Sequence, residues 1–213
     1  MTKSKRVVDV VVATFALLLL WPLFAVIAIC IASQRDGGVF FRQTRVGCGG
    51  KAFRMWKFRT MISGAERAGG QLTVGDDPRV TRVGRWLRRA KLDELPQLLN
   101  VLHGDMSLVG PRPEVPRYVA MLTTSQRQVL DLTPGITDPA SLKYFDESAE
   151  LAAAADAEEA YVERVMPEKI RLNLEYAAQS SVWKDLGVIW ATIVRVVRAM
   201  GRRDRRTLAG TIS

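Results

Sequence analysis

The stretch VVVATFALLLLWPLFAVIAICIA, residues 10–32, runs for twenty-three residues without a charged side chain. As an α-helix it would be about 35 Å long, enough to cross a hydrocarbon core of about 30 Å. A secretory signal fits less well, because its apolar region would be only about 7–15 residues long and would lead to a small-residue cleavage site. The sequence therefore predicts a membrane-bound chain, with residues 1–36 as its membrane segment.

Two features bear on the topology of this segment. Pro22 lies near the middle of the apolar run, where it removes one backbone hydrogen bond and favours a kink. Basic residues flank both ends of the run, since Lys5 and Arg6 precede it and Arg35 follows it. Positive flanks remain on the cytoplasmic side, so this arrangement favours a re-entrant helix that enters and leaves one leaflet. A kinked transmembrane helix, in which proline is tolerated, is the alternative.

Composition limits the remaining choices. The chain has 213 residues, enough for one compact domain with an appendage, and its net charge of +9 points to phosphate-bearing partners. Two cysteines, Cys30 and Cys48, provide neither a disulfide framework nor metal-ligand spacing. His103 is the only histidine, which excludes a zinc site with several histidines and a histidine-centred triad.

After the membrane segment we expect a mainly α fold with a short β-hairpin. Residues 37–51 read as a strand and glycine-rich turn, and residues 53–61 as a second mixed apolar and basic segment. Helical patterns follow at residues 79–90, 95–103, 114–132, 147–161 and 182–200. The predicted domains are the membrane helix at 1–36, a compact cytosolic domain at 37–200 and a basic tail at 201–213.

Two of these helices differ in character. Residues 147–161 are acidic and rich in alanine, without an apolar face wide enough for a core, so a solvated surface helix or lid is predicted. Residues 182–200 place Trp183 and Trp190 on an apolar face that repeats at helical spacing, and basic residues follow. Such a helix suits a membrane interface; a core-packing helix with a basic tail is the alternative.

Asp93 and Glu94 form a single acidic pair inside the most basic stretch of the chain. A cationic environment lowers carboxylate pKa values, so both groups are expected to be ionised at neutral pH. An ionised carboxylate acts as a nucleophile toward phosphorus or as a ligand for Mg²⁺. The alternative is that the pair only begins a helix, with Pro96 in its first turn.

Three groups of cations accompany the acidic pair. Lys57 and Arg59 are close in sequence, Arg88 is the last of four arginines at intervals of three residues, and Arg112 lies between two prolines. Guanidinium groups bind phosphate in a bidentate way, and the prolines restrict the backbone around Arg112. Each group alone would fit a solvated face. Together with the acidic pair they predict a site for Mg²⁺ and a diphosphate.

Several longer motifs carry a resemblance to a family. They are FRQxRVG at 41–47, KFRTM at 57–61, DPRVTxVG at 77–84, LDELPQL at 92–98, NVLxGDMSLVGPRP at 100–113 and PGIT at 134–137. In these motifs the chain resembles the bacterial sugar transferases, which are polyprenol-phosphate phosphoglycosyl transferases in their small monotopic form. The resemblance covers residues 5 to about 197, nearly the whole chain.

The resemblance implies an enzyme that moves a sugar-1-phosphate from a UDP-sugar to a membrane polyprenol phosphate and releases UMP. Asp93 would be the nucleophile that forms a covalent phosphosugar intermediate, and Glu94 would be its partner at the Mg²⁺ ion. The implied phosphate- and nucleotide-binding residues are Arg88 and Arg112, with Lys57, Arg59 and Gln97 as further candidates. In the loop at 138–144 the sequence departs from the family pattern, and Lys143 is the candidate phosphate contact there.

The same resemblance implies a place in the cell and a set of partners. The protein would be monotopic, on the cytosolic face of the inner membrane, and the first helix would be re-entrant. Its partners would be a UDP-sugar, polyprenol phosphate and membrane lipid, without nucleic acid, and a homodimer is left open. The rival hypothesis is a membrane-anchored basic protein that binds anionic lipid or nucleic acid without catalysis. It explains the charge but leaves the acidic pair and the Pro-Arg-Pro turn without a role.

Overall fold

The computed structural model of the chain describes residues 1–65, 72–75 and 77–209, with side chains described up to residue 200. The predicted mainly α fold with a short antiparallel hairpin is confirmed. The helices are α1 (Lys3–Ala32), α2 (Arg82–Arg89), α3 (Gln97–His103), α4 (Pro116–Ala120), α5 (Pro139–Lys143), α6 (Glu147–Ala152), α7 (Ala157–Ala160), α8 (Met166–Ala178) and α9 (Val182–Ala209). The strands are β1 (Phe40–Val46), β2 (Ala52–Phe58), β3 (Ser107–Val109) and β4 (Gly135–Thr137).

The hairpin of β1 and β2 forms where the sequence predicts it. The strands pair antiparallel from Phe40 opposite Phe58 to Val46 opposite Ala52. The turn between them contains Gly49, whose φ of 69° lies in the left-handed region that side chains disfavour. One face of β2 packs into the core, and this orientation directs the end of the strand toward the connection between α2 and α3.

The parallel pair of β3 and β4 was not predicted. Ser107 is opposite Gly135 and Val109 is opposite Thr137, so two segments far apart in sequence meet here. Gly110 and Gly135 allow this approach, because a Cβ atom on Gly135 would lie 2.1 Å from the Gly110 nitrogen. The chain leaves β3 directly into the Pro-Arg-Pro turn, so the pairing sets the starting point of that turn.

Helix α1 is continuous through Pro22 and packs along the rest of the protein by one face. Near its N-terminus Ala13 belongs to a core cluster with residues of β2, α3 and β3. Near its C-terminus Ile27 and Ile31 pack with Phe58 and Leu87. Its other face exposes large apolar side chains: Val7, Val11, Phe15, Leu18, Leu19, Trp21, Val26 and Ile29. Both ends of this apolar helix therefore lie against the same globular domain.

Polar contacts fix the N-terminal end of α1. Asp9 is buried and accepts a hydrogen bond from the Leu108 nitrogen at 3.2 Å, which joins the helix to β3. Lys5 pairs with Asp185 of α9 at 2.5 Å, and the same carboxylate accepts from the Tyr176 hydroxyl at 2.6 Å. Because the partners of α1 come from β3 and α9, the position of this helix is set by tertiary contacts.

Two predicted helices are wrong in extent. Residues 114–132 contain only α4 and a 3₁₀ helix, Gln126–Asp131, because side-chain hydrogen bonds between Thr123 and Gln126 compete with a continuous helix. Residues 147–161 are divided into α6 and α7, since the Asp156 side chain caps a new helix by accepting from the Glu158 and Glu159 nitrogens. This segment is also not merely a solvated surface helix, because Leu151 and Tyr161 are buried in a core cluster.

Helix α8 was not predicted, whereas α9 was predicted and is longer than expected. It begins at Val182 and its backbone continues to Ala209, so the predicted basic tail at 201–213 begins inside the helix and its last four residues lie outside the described ones. Its apolar face is exposed, with Trp183 and Trp190 leaving 82% and 68% of their surface accessible. Helices α1 and α9 therefore each leave an apolar face exposed.

Candidate active site

A cleft of about 2710 Å³ lies between β2, the connection from α2 to α3, α6 and the facing sides of α1 and α9. The acidic pair and several of the predicted cations line it, namely Lys57, Arg59, Arg88 and Arg112. Another part of its wall is apolar and comes from α1 and α9, the two helices with exposed apolar faces. These apolar residues are Val12, Ala16 and Leu20 of α1 and Ile189, Ile193, Val196, Val197 and Met200 of α9.

Asp93 lies in a 3₁₀ helix, Leu92–Glu94, between α2 and α3. The preceding residue, Lys91, is in the left-handed conformation with φ of 54°, which turns the chain sharply out of α2. Helix α3 begins only at Gln97, so the acidic pair precedes that helix and is not its first turn. Asp93 is buried, with 6% of its surface exposed. Among the described residues, none forms a hydrogen bond or an ion pair with its carboxylate.

Glu94, in contrast, is held by two cations. Its Oε1 lies 3.3 Å from the Lys57 Nζ, and its Oε2 accepts from the Arg112 Nη1 at 3.0 Å. The Nη2 of Arg112 also donates to Oε1, so the guanidinium and carboxylate form a bidentate pair. Lys57 comes from β2 and Arg112 from the turn after β3, so this ion cluster joins three parts of the chain.

The environment moves the two carboxyl groups in opposite directions. Burial and the neighbouring charge of Glu94 raise the pKa of Asp93, against the opposing effect of Lys57 and Arg88. Burial also opposes ionisation of Glu94, but Arg112 and Lys57 outweigh it and hold its pKa well below the usual range. The expectation that the cations lower both pKa values is therefore wrong for Asp93, because burial removes water from its carboxylate and the charge of Glu94 lies close by.

Burial has a large effect on Lys57. It lowers the pKa of this amine to about 8, although Glu94 favours the charged form. The pKa of Arg112 is raised, mainly by Glu94, so the guanidinium stays charged at any working pH. The charge of the ion cluster around Glu94 therefore depends on pH through Lys57.

Arg88 and Arg59 occupy the same side of the cleft. The Nε of Arg88 donates to the Thr60 Oγ1 at 2.9 Å, which fixes the guanidinium relative to the end of β2. The Nη1 of Arg59 donates to the Ser63 Oγ at 3.1 Å. The Nε of Arg59 is buried and has no hydrogen-bond partner among the described residues. Both side chains keep donors that are available to an anion in the cleft.

Two predicted site residues lie elsewhere. Gln97 is 1% exposed and does not line the cleft, and its Nε2 has no hydrogen-bond partner among the described residues. Lys143 pairs with Glu168 on the outer surface at 2.8 Å, and it also does not line the cleft. The structure therefore brings together Lys57, Arg59, Arg88, Asp93, Glu94 and Arg112, and leaves these two outside.

A second polar cluster lines the cleft and was missed by the sequence analysis. The Arg45 Nη1 donates to the Pro113 carbonyl at 3.0 Å, and the Tyr161 hydroxyl donates to Glu114. Lys169 pairs with Glu147 at 2.8 Å. Arg45 belongs to the quoted motif at 41–47, which gave a signal. Tyr161 and Lys169 gave none, because only folding brings their helices next to the Pro-Arg-Pro turn.

The donor set for a metal ion is small. Among the residues that the structure describes, no group of three or more histidine, cysteine, aspartate or glutamate side chains is arranged to hold a metal. The acidic pair supplies carboxylate oxygens, and no described cation forms an ion pair with those of Asp93. Mg²⁺ is commonly held by one or two carboxylates together with substrate phosphates. The residues present therefore fit a Mg²⁺ ion that arrives with a diphosphate, and they do not form a cage made of protein ligands alone.

Comparison with known proteins agrees with these observations. The family model described as bacterial sugar transferase matches residues 1–199. The chain belongs to this family. The resemblance noted from the motifs is therefore confirmed.

Three relatives show the range of the family. A UDP-glucose:undecaprenyl-phosphate glucose-1-phosphate transferase of Xanthomonas campestris pv. campestris is 39% identical over 199 residues, covering 91% of this chain and 39% of the relative. A protein of Caulobacter vibrioides with the same description is 39% identical over 195 residues, covering 89% and 68%. A UDP-N-acetylgalactosamine-undecaprenyl-phosphate N-acetylgalactosaminephosphotransferase of Aeromonas hydrophila is 36% identical, covering 93% and 45%. The chain thus spans less than half the length of two of these relatives.

Proposed function

We propose that this sugar transferase moves a sugar-1-phosphate from a UDP-sugar to polyprenol phosphate and releases UMP. The observation that carries the proposal is the contrast within the acidic pair. Asp93 is buried in the lining of a cationic cleft and has no hydrogen-bond or ion-pair partner among the described residues, whereas its neighbour Glu94 is held by Lys57 and Arg112. The relatives are described as transferases that act on a UDP-sugar and undecaprenyl phosphate.

The reaction proceeds in two displacement steps. An oxygen of the Asp93 carboxylate attacks the phosphorus next to the sugar; an Asp–O–P bond forms, the P–O bond to the bridging oxygen breaks, and UMP leaves. The polyprenol phosphate oxygen then attacks the same phosphorus, which forms the lipid diphosphate sugar and frees Asp93. Two steps allow a soluble donor and a membrane acceptor to use one nucleophile in turn. The C1–O bond of the sugar is never broken, so its anomeric configuration is retained.

The neighbouring residues prepare the nucleophile and stabilise the charge. Burial leaves the ionised carboxylate of Asp93 poorly solvated. Because less water has to be removed from it, its attack on phosphorus is favoured. Arg88, fixed by Thr60, and Arg59 offer donors to the diphosphate, where charge develops on the leaving group. Lys57 and Arg112 hold Glu94 ionised and extend the positive field to the other side of the cleft.

Mg²⁺ is proposed as the cofactor, with Asp93 and Glu94 as its protein ligands. When bound, it would offset negative charge on the diphosphate and on the departing UMP. Arg112 and Lys57 hold the pKa of Glu94 well below its usual range, which favours the ionised form that a metal ligand needs.

We also propose that the protein is monotopic, on the cytosolic face of the inner membrane, with α1 re-entrant. The support is that both ends of α1 pack on one domain, through Asp9 at one end and Ile31 at the other, while its outer face is apolar. A straight span would carry one end away from that domain. Helix α9 exposes Trp183 and Trp190, residues suited to the interface between membrane and water.

The catalytic assignment is tested with Asp93→Asn. In the presence of Mg²⁺ and a UDP-sugar labelled in the phosphate next to the sugar, the wild-type protein should acquire covalent label, and mass spectrometry should place it on the peptide that contains Asp93. The variant should acquire none and release no UMP. Asp131→Asn, an exposed aspartate in a 3₁₀ helix, is the matched control and should keep both activities. Full turnover by Asp93→Asn would refute the nucleophile.

The topology is tested by cysteine labelling in a background in which Cys30 and Cys48 are changed to serine. Ser4→Cys and Ser33→Cys stand at the two ends of α1. A membrane-impermeant maleimide added to inverted inner-membrane vesicles should modify both, since both ends lie on the cytosolic face. Modification of only one of them, with the other reached only from the outside, would establish a spanning helix.

A further inference from the structure

An aromatic ring with two cations lies in the cleft beyond the residues assigned above. The Lys91 Nζ is 5.3 Å from the centre of the Phe145 ring, and the Arg195 Cζ is 5.2 Å from the same centre. Lys91 comes from the connection between α2 and α3, Phe145 from the loop after α5, and Arg195 from α9. Three separate segments thus meet at one point, and all three residues line the cleft.

Direct ion pairs do not hold these two cations in the described part of the chain. Among the residues whose side chains the structure describes, no carboxylate forms an ion pair with Lys91 or Arg195. The Phe145 ring attracts both charges weakly, since a cation near an aromatic face gains only about 0.5–1 kcal/mol at exposed sites. Because the ring compensates these two positive charges only weakly, an anion that binds near both of them would be stabilised.

This cationic group shares the cleft with the acidic pair and with the apolar residues of α1 and α9. Lys91 is close enough to Asp93 and Glu94 to favour the ionised form of each. Arg195 is on the helix that supplies Ile189, Ile193 and Val196 to the cleft, and α1 supplies further apolar residues. A ligand bound here would place an anionic head toward Asp93 and an apolar tail along α9.

The backbone of Lys91 supports a role for its side chain. Its φ of 54° is one of only two left-handed conformations adopted by non-glycine residues in the described chain. A lysine pays a steric cost there that glycine would avoid. The conformation directs the residue out of α2 immediately before the acidic pair, where its charge reaches the cleft.

We infer that Lys91, Phe145 and Arg195 form the site that holds the phosphate of the acceptor lipid, a phosphomonoester on a long apolar chain. This inference rests on the proposed function and adds a division of the cleft to it. The donor diphosphate uses the cations around Thr60 and Glu94, and the acceptor phosphate uses Lys91 and Arg195. Phe145 holds both cations near its ring.

The test separates the two half-reactions. Without acceptor, the protein in neutral phosphatidylcholine nanodiscs should release one UMP per active site, and this burst reports the donor site and the fold. With undecaprenyl phosphate added, Arg195→Met should raise the KM for the acceptor by about tenfold to a hundredfold, as expected for loss of a charged hydrogen bond to phosphate. Arg195→Lys should recover part of this loss, because it restores the charge without the planar fork.

Lys184→Met is the matched control on the same helix, since Lys184 donates to Gln179 at 2.9 Å and does not line the cleft. It should leave the acceptor KM unchanged. An unchanged acceptor KM in Arg195→Met, or a burst that falls as much as the acceptor step, would overturn the inference. An effect of Arg195→Met that appears only when phosphatidylglycerol is added to the nanodiscs would also overturn it, because the site would then bind bulk lipid headgroups. Absence of any burst in the wild-type protein would instead refute the proposed function.

Discussion

Gly84 offers a sharp test of how the fold positions Arg88. Thr81 caps helix α2 by accepting from the Gly84 nitrogen at 3.0 Å, and the Thr81 nitrogen donates to the Thr60 carbonyl at 3.0 Å. A Cβ atom on Gly84 would lie 2.0 Å from that carbonyl oxygen. The first turn of α2 is therefore packed tightly against Thr60, just after β2. The Thr60 hydroxyl also accepts the hydrogen bond from Arg88.

The size of the perturbation follows from this contact. Ordinary contact begins near 3.4 Å, so the move from 2.0 Å requires α2 and the end of β2 to separate by about 1.4 Å. Overpacking of this kind destabilises a protein by about 1–3 kcal/mol. A displacement of about 1 Å of a group that positions the substrate can lower the rate by about 10²-fold. We therefore expect Gly84→Ala to lower kcat/KM by on the order of 10²-fold and to lower the melting temperature.

The assay is UMP release at several UDP-sugar concentrations, together with a thermal denaturation curve for each variant. Gly187→Ala in α9 is the matched control, because a Cβ atom there meets nothing within 4 Å, and it should leave both measurements unchanged. If Gly84 acts through Arg88, adding Gly84→Ala to an Arg88→Met variant should lower kcat/KM little further. Wild-type kcat/KM in Gly84→Ala, or full additivity with Arg88→Met, would refute the reasoning.

Two further predictions concern lysines. Because burial lowers the pKa of Lys57 to about 8 and its ion pair with Glu94 needs the protonated form, kcat/KM should fall above pH 8, by about tenfold per unit. A pH profile should show this alkaline limb in the wild-type protein and its displacement to higher pH in Lys57→Arg; the same limb in both proteins would exclude Lys57 as its source. Lys143→Ala should leave kcat/KM within about twofold, since Lys143 pairs with Glu168 outside the cleft and an exposed ion pair contributes little. A large loss in UMP release would return Lys143 to the substrate site.

The sequence was most informative where the signal is local. The apolar run at 10–32 predicts α1, and Gly47, Gly49 and Gly50 predict the hairpin turn. Gly104 predicts the end of α3, and its φ of 95° ends the helix there. It was least informative where side chains compete with the backbone. The helix predicted at 114–132 is interrupted at Thr123, and the helix predicted at 147–161 is divided by the Asp156 cap. In both places a side chain accepts hydrogen bonds from backbone nitrogens, and the spacing of apolar residues does not show this.

The sequence by itself determined the family, the membrane helix and the identity of the acidic pair with its cations. Only the tertiary structure decided how the two acids differ: Glu94 is paired with Lys57 and Arg112, whereas Asp93 is buried and no described residue pairs with it. It also placed Lys143 outside the cleft and brought Arg195 beside Lys91 and the ring of Phe145. The physical reason is that solvation and Coulomb interactions depend on distance in space. The sequence shows which charged residues a site can contain. Packing between distant segments determines which of these charges lie close together and which are buried away from water.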